Sequence, residues 1–260
     1  MSARTSDQLP CVHRLEHIHI DIKRLQAETL KLARESNWPI NFMQYDPTVA
    51  PQIVRRRSVK EILRDFQICW GQYNHTHSTW FKLRNSTRRA LNPEHHEYNY
   101  HEPTAEFRGS YFEQVVNQFR SPAIRVRLVK VYPPQLLPQH VDFDTTYGIR
   151  VIIPIFADES ARNYVWQQGQ ERAYHLRADG SAYFLNIGRP HAVTTTGTAP
   201  RIVMFLTLTN QQDLAEIPAG YTASNVPETP DPAYHTINGI THVNDGDWEP
   251  YQQQHSQDKY

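Results

Sequence analysis

At Ser121-Pro122 the hydrophobic pattern of the chain changes period. Before that point Phe107, Tyr111, Phe112, Val115 and Phe119 recur at helical spacing, with Thr104 placed as the cap. Beyond it Ile124 to Tyr132, Tyr147 to Phe156, Ala182 to Ile187 and Ile202 to Leu208 alternate with a period of two and read as strands, divided by Pro, Gly, Asp and Thr clusters. A chain that runs from helices into a β-rich half must bury its sheets against one another and against those helices, so the expected class is mainly β with flanking helices.

Upstream, His17 to Ile20 reads as a short strand leading into Asp21, which caps a helix marked by Ile22, Leu25, Thr29 and Leu32 and ending near Trp38-Pro39. A loop-rich section with the basic run Arg55 to Arg57 follows, and then a short helix from Ser58 to Phe66. After about Asp213 the chain turns polar and rich in Pro, Thr, Asn and Gln, as expected of an extended tail. The expected organisation is one functional domain: a helical lead-in over 1–120, a β core over 121–212 and a polar tail over 213–260.

Lys plus Arg and Asp plus Glu each total 27, so no basic face is implied and nucleic acid is not an expected partner. Cys11 and Cys69 are too few for a disulfide framework. Met1 to Pro10 lacks the apolar run of a secretory signal, and no stretch is long and apolar enough to span a bilayer. The expectation is a soluble cytoplasmic protein acting on a small molecule, its oligomeric state open.

His140-Val141-Asp142 carries ligand-type side chains at i and i+2, which point to the same side of an extended strand. A third candidate, His191, follows a predicted strand and a Gly188-Arg189-Pro190 turn, where a β-fold could bring it alongside the pair. Two imidazoles and a carboxylate on one face of an octahedral ion leave open positions, the arrangement suited to non-haem Fe(II) that must also bind a co-substrate and O2. His19-Ile20-Asp21 repeats the spacing, but there Asp21 is accounted for as a helix cap. Glu94-His95-His96-Glu97, with His101-Glu102, reads as a solvated loop between helices.

The turn-like stretch Thr194 to Pro200 after His191 predicts a hairpin that sets Arg201 opposite His191, roughly 5 Å away at the Cβ atoms. A permanently charged, planar guanidinium suits a bidentate grip on the far carboxylate of a dicarboxylate co-substrate. Arg150 follows His140 by the same interval of ten residues and is a second candidate for that co-substrate or for the substrate.

These residues, His140-Val141-Asp142, Arg150 followed by Val151-Ile152-Ile153-Pro154, Asn186, His191 and Arg201, resemble the aspartyl/asparaginyl β-hydroxylase family, which includes enzymes that hydroxylate free proline. The match covers roughly Ile124 to Leu208. The resemblance implies a double-stranded β-helix, or jelly roll, of cupin-like form. It also implies Fe(II) held by His140, Asp142 and His191, with 2-oxoglutarate chelating the metal and its distal carboxylate on Arg201. In that family O2 takes the remaining position, and the outcome is succinate, CO2 and a hydroxylated C–H bond. Ile152 stands where some members carry a second histidine, which weakens any detailed copy of their co-substrate contacts.

For the substrate, Arg125 and Arg127 on one strand face suit an amino-acid or acidic carboxylate, and Tyr147 and Trp166 are candidate pocket aromatics. A free amino acid or small derivative is the expected substrate, with a peptidyl aspartyl or asparaginyl side chain as the alternative. A cupin-like metal-binding protein without oxygenase activity is the competing class. Arg201 separates the two, because a plain metal-binding barrel has no need of it.

Overall fold

The computed structural model describes residues 3–35, 78–82, 84–85, 102–131, 135–197 and 199–230. The run Arg55 to Arg57, the predicted helix Ser58 to Phe66, the cluster Glu94 to Glu97, Cys69 and most of the C-terminal tail lie outside the described residues.

The chain enters through a 3-10 turn, Ser6–Gln8, and strand β1, Val12–Arg14, followed by helix α1, Ile22–Glu35. Next come β2, Ser78–Lys82, the short pair β3, Arg84–Asn85, and β4, Glu102–Pro103, and helix α2, Tyr111–Val116. The β-rich half holds β5, Ala123–Val131; β6, Gln135–His140; β7, Ile149–Phe156; β8, Arg162–Gln167; β9, Gln170–Tyr174; β10, Tyr183–Leu185; β11, His191–Thr195; and β12, Arg201–Leu208.

Strands β5 to β12 alternate between two antiparallel sheets. The large sheet runs β1-β10-β7-β12-β5-β2 and the small one β6-β11-β8-β9. Consecutive strands from β5 to β8 switch sheet at each step, β8 and β9 form a hairpin within the small sheet, and the path then retraces from β10 to β12. That winding of paired strands is a double-stranded β-helix, and the fold is the jelly roll expected. The lead-in supplies both edge strands of the large sheet, β1 on β10 and β2 on β5.

Side-chain alternation sorts the large sheet into two packed faces. Val126, Leu128, Val151, Ile153, Ile202, Met204 and Leu206 point outward, against Leu25 and Leu32 of α1 and Phe112 and Val115 of α2. Val129, Ile152, Val203 and Phe205 point inward, toward Val165 and Tyr174 of the small sheet. Since both faces are covered, β7 is almost continuously apolar rather than alternating.

Local structure differs from expectation at two places. Asp21 does cap α1, Arg24 N donating to its Oδ1 at 3.0 Å. The strand before it, however, is Val12–Arg14, while residues 17–20 are irregular, because β10 offers only three residues to pair. Thr104 opens only a turn, Phe107 N and Arg108 N both donating to its carbonyl. Gly109 then adopts φ 73°, which breaks the helical path, and Ser110 caps α2 by accepting from Glu113 N.

Candidate metal centre

His140 closes β6 and His191 opens β11, and the two are register partners in the small sheet. Their rings lie 4.1 Å apart between centroids, tilted by 49°. Asp142 sits just beyond β6 in a loop, held because its N–H donates to Ile187 O at 3.0 Å. Its Oδ1 stands 3.8 Å from His140 Nε2. One ligand atom from each of the three residues lies within 4.8 Å of the others, an opening that an ion with bonds of about 2.1 Å bridges once the side chains draw in.

The donor chemistry fits a divalent cation. His191 Nδ1 lies 3.0 Å from Arg189 O, and a carbonyl only accepts, so the proton sits on Nδ1 and the Nε2 lone pair is free for a metal. Burial, aided by the neighbouring His140, pushes the His191 imidazole down to about 3. It is therefore neutral near pH 7. Two imidazoles and a carboxylate on one side of an ion leave its opposite side open, as an oxygenase metal requires and a closed structural site does not.

Arg201 is fully buried, and burial pulls its guanidinium below its ordinary value to about 10, still protonated at pH 7. It does not sit across a hairpin from His191. β11 pairs with β6 and β8, whereas β12 pairs with β5 and β7, so Thr196 to Pro200 carries the chain from one sheet to the other. His191 and Arg201 consequently belong to opposing sheets. Arg201 Nη2 donates to Asn163 Oδ1 at 3.2 Å. On β8, Val165 is the register partner of His191 and Asn163 that of Val193, so Asn163 stands two residues, about 7 Å, along the strand from the level of His191. A small diacid has that reach. Asn163 Nδ2 is buried and has no hydrogen-bond partner among the described residues.

Arg150 opens the other end of β7, where its Nη1 donates to Thr207 Oγ1 at 3.0 Å and its charge is felt by His191. Its guanidinium lies 5.3 Å from the Phe143 ring and 5.9 Å from that of Phe205, and Arg127 stands 5.4 Å from the same Phe205 ring. Arg127 and Arg150 thus flank one inward-facing aromatic. Arg125 lies in a bulge where β5 slips against β12, with φ 45°, and this breaks the alternation on which a shared face with Arg127 depended. Tyr147 packs on Phe143, ring centroids 5.0 Å apart. Trp166 does not line the inter-sheet space. Val165 points inward, so its neighbours Tyr164 and Trp166 pack on the outer side of the small sheet with Ala173 and Ala192.

Asn163 and Thr207 escaped the sequence argument, since neither carries a motif and only the strand register brings them to these arginines. No helix among the described residues is long and apolar enough to cross a membrane.

No family model matches this chain, and no curated protein matches it. Among solved structures it is similar to a 2OG-Fe(II) oxygenase family oxidoreductase from Burkholderia pseudomallei, at 13% identity over 77% of this chain and 92% of that one, with a TM-score of 0.34. It is also similar to a prolyl-4-hydroxylase from Pseudomonas putida, at 10% identity over 77% and 93%, with a TM-score of 0.41. A cupin domain of a transcriptional regulator from Enterobacter cloacae matches 33% of this chain and 80% of its own length, at 16% identity and a TM-score of 0.25. These resemblances are remote in sequence.

Proposed function

We propose that this chain is an Fe(II)- and 2-oxoglutarate-dependent oxygenase that hydroxylates an unactivated C–H bond of a free amino acid or small derivative, with release of succinate and CO2. The observation that carries this reading is a His, Asp, His set with a buried guanidinium bonded to Asn163, two strand residues from the level of His191. A metal-binding barrel with no diacid to hold has no use for that guanidinium, whose desolvation is costly.

Iron, when bound, supplies the reduction of O2 coupled to oxidation of the co-substrate. His140 and His191 would each donate a ring nitrogen to it, and Asp142 a carboxylate oxygen. Arg201 grips the far carboxylate of 2-oxoglutarate, while Asn163 holds that guanidinium in place and offers its unused N–H to the same carboxylate. Ile152, Val165, Val203 and Phe205 form apolar walls that keep bulk water from the reacting centre. Arg127 and Arg150, set on either side of Phe205, suit the carboxylate of an amino-acid substrate.

The test is a screen of amino acids for succinate release in the presence of iron and 2-oxoglutarate, with peptides containing Asp or Asn as a second set. The expected result is one amino acid that raises succinate above background and gains one oxygen atom by mass. Turnover with peptides alone would move the substrate to a peptidyl side chain. Metal binding without any consumption of 2-oxoglutarate would leave a non-catalytic cupin-like protein.

A further inference from the structure

Residues 4–11 cross over the loops that carry two of the three ligands, and they do so through buried polar contacts rather than apolar packing alone. The loop 186–190 sets both Asp142, whose N–H donates to Ile187 O at 3.0 Å, and His191, whose Nδ1 faces Arg189 O at 3.0 Å. Strand β8 holds that loop at its far end, where Trp166 N donates to Pro190 O at 2.9 Å, and residues 4–11 hold its base. Asn186, fully buried at its base, donates from Nδ2 to Ser6 O at 2.8 Å, Pro10 O at 3.1 Å and Leu9 O at 3.4 Å, and its backbone N–H donates to Cys11 O at 2.9 Å.

The same segment grips the loop after Asp142. Ser6 N donates to Asp144 Oδ2 at 3.0 Å, Thr145 N donates to Ser6 Oγ at 3.2 Å, and Thr145 Oγ1 donates to Arg4 O at 2.7 Å. Arg189, whose carbonyl orients His191, is paired with Asp7 at 3.4 Å. Gly188 leaves room for this crossing: a Cβ there would lie 2.0 Å from Ser6 Oγ and 3.0 Å from Asp144 Cα.

We infer that residues 4–11, keyed by Asn186 and Ser6, are a brace that fixes the spacing of Asp142 and His191, so that metal affinity depends on a segment that holds no ligand. This rests on the metal centre under the proposed function. Partners that orient ligands tune affinity by about 10 to 100-fold, and here two ligand loops share one such partner.

The experiment measures Co(II) affinity by titration, followed by the cobalt absorption bands, for the full chain and for Asn186→Leu, Ser6→Ala and Val115→Ala. Val115, on the buried face of α2, packs in the outer core and touches neither ligand loop, and it serves as a destabilised control. The brace predicts at least a tenfold weaker Kd and altered bands for Asn186→Leu, a smaller loss for Ser6→Ala, and wild-type affinity for Val115→Ala despite its lower melting temperature. Wild-type affinity in both Asn186→Leu and Ser6→Ala would overturn it, and so would an equal loss in Val115→Ala. If Asn186→Leu fails to fold, Ser6→Ala decides alone: weaker binding supports the brace and unchanged binding overturns it. A wild-type chain that binds no cobalt would bring down the metal centre itself, a result distinct from the others.

Discussion

Replacing Arg201 by Met should make the ligand-free protein more stable while removing its response to 2-oxoglutarate. Burial lowers the guanidinium to about 10, and a drop of that size is a preference of about 3 kcal/mol for the uncharged form. At pH 7 the group is charged both folded and unfolded, below both values, so the folded ligand-free chain carries the whole burden. Methionine has a similar length and no charge. The change leaves Asn163 Oδ1 without its donor, costing about 1 kcal/mol, so the net gain is about 2 kcal/mol. For a domain of this size that is roughly 4 °C or more in Tm. With Mn(II) and 2-oxoglutarate at about a hundred times Kd, the wild type gains about 2.7 kcal/mol from binding and the variant gains none. Thermal melts of both proteins, each with and without 2-oxoglutarate, read this directly. A ligand-free Arg201→Met that melts several degrees below wild type, or one that retains the full 2-oxoglutarate shift, would refute the assignment of this buried charge to a diacid.

Metal-free protein should lose stability as the pH falls below about 6.5 toward about 3, because His191 is neutral when folded and takes a proton when unfolded. The His191→Leu variant should lose that component, up to about 1.4 kcal/mol per pH unit, in urea unfolding at pH 7 and pH 5; an unchanged acid slope would contradict it. Gly180 adopts φ 96°, and an added Cβ would lie 2.4 Å from Ile20 O, so Gly180→Ala should cost about 2 kcal/mol or more, read as a fall in Tm. For Asn163→Asp we expect a clear rise in the KM for 2-oxoglutarate with a smaller effect on kcat, since a carboxylate beside Arg201 competes with the diacid; an unchanged KM would remove Asn163 from that contact.

Some of this was legible from residue order alone. The strands β7 and β12 stand out because long apolar runs of branched residues have few other uses, β5 because apolar residues recur between its Arg125, Arg127 and Lys130, and Asp21 could be placed as a cap from local chemistry. The small sheet was harder to see. β6 contains Pro138 and little alternation, and the turn between β8 and β9 uses Gln168 and Gly169, both at positive φ, where Asn-Gly would have been the plainer signal. The assumed hairpin from His191 to Arg201 failed because turn-forming residues report that the chain reverses, not which sheet the next strand joins. The contacts of Ser6 with Asn186 span 180 positions in the chain and leave no local periodic trace.

The central claim is that His140, Asp142 and His191 share one metal and that a diacid binds beside it. Anaerobic calorimetry with Fe(II), followed by 2-oxoglutarate, tests this most directly. One iron per chain, binding of 2-oxoglutarate only after iron, and loss of both steps in His140→Ala are expected. Iron binding that survives His140→Ala unchanged, or 2-oxoglutarate that binds equally well without metal, would contradict it.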